Sequence, residues 1–321
     1  MSGSPDTGWL AGDDRPAPAT LSGAERRLCD LHGAETAVVL SGPGAATAYA
    51  LAALTNPGGH VIVSAGLGGA AREHVEREFL ESGRTVDLVD CDDLDAVAAL
   101  VGPRTQLILT ESMTDPGMRP IPVNDLAALA HSTDLLLVVD NTALSPAQLR
   151  PLDLGATVVV ETCAPYLDDL AGLGLSTVCG PSRLLRRISA QVARTGGRPD
   201  PWSDRMLAQA LRTLDLRMAA HHRHADEIAE YLRKHPAVAT VHRAGFDEAP
   251  WAVETHTGFG GLLSFTTHVP VDAARTGGAI TLPAWEQPGL DPHLVRVAAG
   301  HDDAAPLIGR LRALLSQEAA A

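Results

Sequence analysis

The sequence predicts an α/β protein: a large domain with a mainly parallel sheet, followed by a smaller α+β domain. Between about residues 36 and 160, short apolar segments rich in Val, Ile and Leu alternate with helical segments. This alternation is typical of parallel sheets that are covered by helices on both faces. After about residue 196 it stops and a long helical segment begins, which indicates a change of domain.

The elements of the large domain follow from these patterns in chain order. Short apolar segments predict strands at Thr36–Leu40, His60–Ser64, Thr85–Val89, Gln106–Thr110, Leu135–Val139 and Thr157–Val160. Helical spacing predicts helices at Ala45–Leu54, Gly69–Ser82, Leu94–Val101 and Val123–His131. The turn at 56–59 (NPGG) ends the first of these helices.

The C-terminal part begins with a predicted long helix, Trp202–Arg233. Strands are predicted at Ala239–His242, Gly261–Phe265 and Leu294–Ala298, and a closing helix at Ala304–Leu315. The predicted organisation is an N-terminal arm with a first helix (1–35), a large α/β domain (36–200), and a linking helix with a small α+β domain (201–321). Residues 1–20 are rich in Pro, Gly and Asp, which favours a disordered arm.

Composition excludes several classes of partner. The 321 residues carry a net charge of −14 and show no basic stripe, so we expect neither a nucleic-acid nor a membrane partner. We expect no signal peptide, because the N-terminal residues show no basic start followed by an apolar run, and no apolar run reaches membrane-spanning length. Its four cysteines form no CxxC pair, which favours a reducing cytoplasm.

The residues that follow the predicted strands are the candidates for a ligand site. In open parallel sheets, ligands bind beyond the carboxyl ends of the strands. The segments at these positions are Ser41–Gly44, Glu111–Pro116, Asp140–Thr142 and Glu161–Tyr166.

Six motifs occur in a fixed order between about residues 20 and 316. They are 25–33 (ERRLCDLHG), 111–116 (ESMTDP), 138–142 (VVDNT), 212–218 (RTLDLRM), 258–265 (GFGGLLSF) and 294–300 (LVRVAAG). This set resembles the Cys/Met-metabolism family of pyridoxal-phosphate enzymes, which includes cystathionine γ-synthase and γ-lyase. The resemblance implies an aspartate-aminotransferase-like (fold type I) large domain and assembly into dimers or tetramers.

The resemblance also implies a cofactor held as an imine to a lysine. Asp140 matches the aspartate that keeps the pyridine nitrogen protonated, and Arg296 matches the arginine that binds the substrate carboxylate. The chain contains a single lysine, Lys234, which we expect at the end of the long helix as a C-terminal cation.

Most other positions of the implied cofactor site differ from the family pattern. The lysine position is Pro165, and a phosphate-binding hydroxyl is replaced by Ala164. The phosphate turn reads Gly42-Pro43-Gly44, so one backbone N–H donor is lost. The stacking tyrosine is absent, and Leu67 is its best match.

Further positions that the resemblance assigns to the cofactor and substrate site also differ. Asp115 replaces an asparagine, and the Tyr-x-Arg arm of a neighbouring subunit is reduced to Arg15. The family's helix and substrate loop are cut to Ala279–Trp285. We therefore expect no bound cofactor, with pyridoxal phosphate held non-covalently through Asp140 as the alternative.

Four residues are candidates for catalysis: Glu161, Cys163, Tyr166 and Asp140. Asp140 is equally well explained as a carboxylate that caps its own turn. Cys163 has no histidine close in sequence, and a small buried thiol is the alternative interpretation.

Six residues are candidates for substrate binding: Arg296, Ser41, Asp115, Asn141, Thr162 and Arg15. No metal site is expected. His221, His222 and His224 lie within one predicted helix, and their spacing does not place all three on one face.

Three hypotheses for the function remain open. The chain is a repurposed enzyme of bacterial specialised metabolism that acts on a carboxylate-bearing small molecule without the cofactor. Alternatively, it is a catalytically inactive pseudoenzyme subunit that partners a lysine-bearing homologue. The third hypothesis is an enzyme of the γ-lyase or γ-synthase type that uses non-covalent cofactor.

Overall fold

The computed structural model describes residues 21–75, 82–169, 172–246, 250–272, 276–282 and 290–316. The chain divides into two compact units. The first comprises the chain up to Ser112 together with Ile121–Pro146 and Arg150–Leu214. The second comprises Met113–Pro120, Ala147–Leu149 and the chain from Asp215 onward. The last change of unit along the chain falls after Leu214. The sequence predicts the domain boundary after residue 200.

The described residues of the first unit form seven strands: β1 Thr36–Ser41, β2 His60–Ser64, β3 Thr85–Val89, β4 Thr105–Glu111, β5 Leu136–Asp140, β6 Val158–Thr162 and β7 Leu175–Gly180. They make one sheet in the order β1-β7-β6-β5-β4-β2-β3. Strands β2 to β6 run parallel to one another, and β7 is antiparallel to both β6 and β1.

The described helices of the first unit are α1 Gly23–His32, α2 Ala45–Leu54, α3 Gly69–His74, α4 Leu94–Ala99, α5 Val123–Ser132, α6 Ser182–Thr195 and α7 Pro201–Ala210. Several of these helices, including α2 and α6, pack apolar residues against this sheet. Ser22 and Glu25 form a capping box at the start of α1, which ends where Gly33 takes the left-handed conformation (φ 65°). Residues of α2 and α6 join β1, β2, β4, β5 and β6 in one buried apolar cluster.

The predicted strands of this unit are confirmed to within two residues at each end. The sequence analysis assigns no element to β7 or α6. Strand β7 carries Ser176 and Thr177 among its apolar residues, so its pattern is weaker than that of the parallel strands. The predicted helix Gly69–Ser82 is observed as Gly69–His74, and residues 76–81 lie outside the described part of the chain.

The prediction of a single long helix at Trp202–Arg233 is wrong. The structure has α7, a 3₁₀ turn at Leu211–Thr213, and then α8 at Leu214–Arg233. In the 3₁₀ turn Thr213 Oγ1 donates to Ala210 O at 3.2 Å, and such side-chain bonds compete with regular helix bonding. The change of unit falls at this interruption.

The described elements of the second unit beyond α8 are β8 Val238–His242, α9 Pro250–Thr255, β9 Leu262–Thr267, β10 Ile280–Thr281, β11 Leu294–Ala298 and α10 Ala305–Leu315. The four strands form an antiparallel sheet in the order β10-β11-β9-β8. Ile228 and Leu232 of α8 share a buried cluster with Phe265 and Val295 of the sheet. The remnant predicted at Ala279–Trp285 contains β10, and its last residues lie outside the described ranges.

Candidate functional site

Polar side chains of the first unit gather at the carboxyl edge of the sheet. Because β2, β4, β5 and β6 are parallel, their last residues reach the same edge: Ser64, Glu111, Asp140 and Thr162. Glu111 lies directly beside Asp140 in the strand register. The sequence analysis predicts a site at this edge, and the fold brings the side chains of its adjacent strands together there.

A chain of hydrogen bonds connects Asp140 to the turn at residues 42–44. Asp140 Oδ1 accepts from Thr142 Oγ1 at 2.5 Å and from Thr142 N at 3.0 Å. Thr142 Oγ1 accepts in turn from Thr162 N at 2.9 Å, and Thr162 Oγ1 donates to Pro43 O at 2.7 Å. Asp140 therefore does cap its own turn, the alternative that the sequence left open, and Thr162 is engaged with the chain itself.

The turn at residues 42–44 uses its polar groups internally. Gly42 N donates to Gly174 O at 2.6 Å, and Ala45 N donates to Gly42 O at 3.2 Å. Ser176 Oγ donates to Gly42 O at 2.7 Å and accepts from Ala46 N at 3.0 Å. Since Pro43 has no N–H, few donors of this turn are left for an anion.

Glu161 lies inside the unit, 1% exposed, between two partners. Its Oε2 accepts from His32 Nε2 at 3.0 Å, and its Oε1 accepts from Asn141 Nδ2 at 3.0 Å. His32, at the end of α1, is fully buried. Two of the predicted site residues, Glu161 and Asn141, thus bind each other and do not line an open cleft.

The pKa of His32 is raised well above its ordinary 6.5. Burial by itself lowers this pKa, but interactions with Cys179 and Glu161 outweigh burial. The sequence analysis missed His32 as a functional neighbour of Glu161. The signal for it was its position within the motif at 25–33, four residues after Leu28 on the buried face of the helix, where a histidine needs a polar partner.

Glu111 is a second carboxyl group at this edge; it lies in a segment that the sequence predicts to be part of the site, but the sequence assigns it no role. Ser64 Oγ donates to its Oε1 at 2.8 Å, and Oε2 is buried with no partner among the described residues. Burial raises the pKa of Glu111 from 4.5 to about 7, and the nearby charge of Asp140 adds to the rise. Burial likewise raises the pKa of Asp140 from 3.8 to about 6. Both groups therefore titrate close to neutral pH.

Cys163 and Tyr166 are buried, at 0% and 2% exposure. Burial, together with the charges of Asp168 and Glu161, raises the pKa of Cys163 well above its ordinary value. A thiol in this state stays protonated near neutral pH, so the structure argues against Cys163 as a nucleophile. The small buried thiol is the interpretation that the geometry favours.

The residues of this edge do not fit pyridoxal phosphate held as an imine. Pro165 stands exposed in the loop after β6 and offers no amine. Leu67 is 3% exposed and belongs to the apolar core, so it offers no free face for ring stacking. Lys234, in the second unit, is exposed, and its Nζ lies 3.4 Å from Glu230 Oε2.

In the second unit, Arg296 and Asp115 bind each other. Arg296 Nε donates to Asp115 Oδ1 at 2.7 Å, and Nη2 lies 2.6 Å from Oδ2. Two residues expected to contact a substrate therefore satisfy one another.

The other predicted substrate contacts have separate outcomes. Ser41 is exposed at the end of β1, and its backbone N–H donates to Gly197 O at 2.7 Å. Arg15 lies outside the described residues. In the described part of the chain, no group of three or more His, Cys, Asp or Glu side chains could hold a metal ion. There, too, no helix is long and apolar enough to cross a membrane.

Replacing Glu161 with Gln should destabilise the first unit by about 3–5 kcal/mol, because a buried charged histidine loses its counter-ion. The raised pKa of His32 contributes stability that is fully present below pH 6.5 and is lost as the pH rises through the folded-state value. The deficit of Glu161→Gln should therefore be largest near pH 6 and shrink at higher pH. Measuring the free energy of unfolding with urea, at pH 6 and at successively higher pH, tests the prediction.

The matched control is Glu230→Gln, which removes an exposed carboxylate paired with Lys234 and should change stability little. Equal effects of the two substitutions, or a deficit of Glu161→Gln that grows with pH, would contradict the buried ion pair.

Replacing Glu111 with Gln should stabilise the protein at alkaline pH. In the folded chain the raised pKa means that protonation of Glu111 contributes stability below pH 4.5, which is lost as the pH rises through about 7. The variant lacks this titration, so its stability relative to the wild type should improve by about 3 kcal/mol between pH 4.5 and pH 8. Urea unfolding at both pH values measures the difference. A pH-independent difference would mean that Glu111 ionises normally.

The family model for Cys/Met metabolism PLP-dependent enzymes matches residues 14–281. O-succinylhomoserine sulfhydrylase from Pseudomonas aeruginosa is 32% identical over 259 residues, which cover 79% of this chain and only 64% of that protein. Cystathionine γ-synthase from Mycobacterium tuberculosis is 30% identical over 332 residues, covering 94% and 85%.

The solved structures agree with these sequence relatives. Cystathionine γ-synthase from Xanthomonas oryzae pv. oryzae, in complex with aminoacrylate and cysteine, superposes with a TM-score of 0.86 at 26% identity. The match covers 92% of this chain and 85% of that one, and it confirms the fold type I prediction. The chain belongs to the Cys/Met metabolism family of PLP-dependent enzymes.

Proposed function

We propose that this chain is a non-catalytic member of its family, a pseudoenzyme that acts in the cytoplasm as a partner subunit. In this proposal it forms no imine with pyridoxal phosphate and does not perform the γ-elimination or γ-replacement chemistry of its relatives. The single observation that carries the proposal is that groups placed to meet cofactor and substrate are either absent or bound to other residues of the same chain.

The amine is the first missing group. Imine formation needs a lysine amine within reach of the cofactor aldehyde. Pro165 stands at the position that the family resemblance assigns to this lysine, and the only lysine of the chain is exposed and paired with Glu230. The covalent tether that holds the cofactor is therefore unavailable.

The phosphate site is the second missing feature. A helix N-terminus binds a phosphate through free backbone N–H groups. In the turn at 42–44 the N–H of Gly42 is bonded to Gly174 O, and Pro43 has none. Each lost hydrogen bond to a charged group weakens binding by about 1.5–3 kcal/mol, which also disfavours a non-covalently held cofactor.

The substrate site is the third. A repurposed enzyme acting on a carboxylate would need Arg296 as its anchor, and Asp115 occupies both donor positions of that side chain described above. This pairing therefore favours the hypothesis of a pseudoenzyme over that of a repurposed enzyme. A folded scaffold whose candidate substrate groups bind one another suits a subunit that serves another chain.

As partner we propose a lysine-bearing member of the same family. The resemblance implies assembly into dimers or tetramers, and two chains of one fold can share one interface geometry. A homodimer of this chain alone is the simpler assembly, but by this argument it would contain no working site.

A second candidate function is acid–base catalysis without the cofactor, favoured by one specific observation. Glu111 and Asp140 are neighbours in the sheet register, and their pKa values of about 7 and about 6 suit proton transfer near neutral pH. Turnover by the isolated chain that disappears in Glu111→Gln would favour this candidate over the pseudoenzyme.

The purified chain should take up no pyridoxal phosphate. After incubation with excess cofactor and removal of the free compound, absorption between about 330 and 430 nm should stay flat. Borohydride reduction, which fixes an imine covalently, should leave the mass of the chain unchanged. A lysine-bearing relative treated in parallel is the positive control. A retained absorption band or a covalent adduct would overturn the proposal.

Co-expression tests the partner. With a lysine-bearing family member of the same organism, the chain should co-elute as a defined heteromer whose turnover differs from that of the partner alone. In the matched control, an unrelated protein of the same fold type is co-expressed in place of this chain. A chain that forms only homomers in the presence of every such relative, and is active by itself, would contradict the proposal.

A further inference from the structure

We propose that Asp115 is a built-in carboxylate that closes Arg296 to external carboxylates. The second unit then holds a latent anion site that opens only when Asp115 is neutralised. Its biological meaning rests on the proposed function, because a partner subunit with a closed arginine does not sequester the carboxylate substrates of an active relative. Its test uses the isolated chain and is independent of any partner.

The geometry of the pair is that of a carboxylate ligand on an arginine. Nε contacts Oδ1 at 2.7 Å and Nη2 contacts Oδ2 at 2.6 Å, so each carboxylate oxygen accepts from a different nitrogen. A free carboxylate prefers this same two-point contact on the planar guanidinium. Asp115 thus occupies the surface that a substrate carboxylate would need.

The backbone, and not only the ion pair, holds Asp115 in this place. Pro116 O accepts from Ser264 Oγ at 2.6 Å, and Ser264 is the cross-strand neighbour of Arg296 on β9. Thr114 N donates to Arg119 O at 2.9 Å and closes the loop behind it. These bonds do not involve the Asp115 side chain, so the loop should keep its place when that side chain is changed.

The pair is partly open to solvent. The side chains of Arg296 and Asp115 are 26% and 31% exposed, so a small molecule can reach the guanidinium. An external carboxylate must nevertheless displace one that is attached to the same unit and therefore present at a high effective concentration. Replacing Asp115 by Asn removes the competing charge while keeping the size of the side chain.

Isothermal titration with succinate tests the inference, with succinamide as the uncharged matched ligand. Asp115→Asn should bind succinate at least about tenfold more tightly than the wild type, and neither protein should bind succinamide. The double variant Asp115→Asn/Arg296→Gln should lose the gain. Asp153→Asn, which removes the carboxylate of a more exposed pair with Arg150 in the first unit, should leave succinate binding at the wild-type level.

The wild-type chain supplies a second measurement that needs no variant. In a nitrogen-15 spectrum, the Nε–H signal of Arg296 should keep its position as succinate is added. A shift of this signal in the wild type, or no gain in a folded Asp115→Asn variant, would overturn the inference. So would a gain that survives the Arg296→Gln substitution.

Discussion

A buried charge needs a partner, and the contact between Glu161 and His32 is the one on which the carboxyl edge of the large sheet depends. Glu161 lies at the end of β6 with 1% exposure, and an isolated ion there would cost several kcal/mol. His32 supplies the opposite charge from the end of α1, and Asn141 fills the second carboxylate oxygen. The edge is thus held together by contacts within the chain.

Contacts within the chain also occupy other groups of the candidate site, although Glu111 Oε2 has no partner among the described residues. In enzymes that hold a charged cofactor, the ligand supplies partners for the polar groups around it. Here Thr142 and Thr162 connect Asp140 to the turn at 42–44, whose Gly42 is bonded to Gly174 and Ser176. Substitutions that remove a ligand leave buried polar groups unpaired unless other residues take over. In this chain Asp140, Thr162 and Gly42 have such partners within the chain itself.

The sequence predicts the parallel strands well because each is a short apolar segment bounded by turn residues. It fails at β7, where Ser176 and Thr177 interrupt the pattern, and at Leu211–Thr213, where a side-chain bond accompanies the 3₁₀ turn. For the site, strand-end position predicts Asp140 and Glu161, since topology places these residues. Their partners are not predictable in this way. His32 precedes Glu161 by 129 residues and Asp115 precedes Arg296 by 181, and no local pattern encodes such pairs.

The two carboxyl groups with raised pKa also affect how the molecule responds to its surroundings. The net charge of −14 counts every Asp and Glu as ionised. Glu111 has a pKa of about 7 and Asp140 a pKa of about 6, so each carries a proton for part of the time near neutral pH. Both carboxyl groups are ionised near neutral pH in the unfolded chain, so these two groups take up protons from the solvent when the chain folds there.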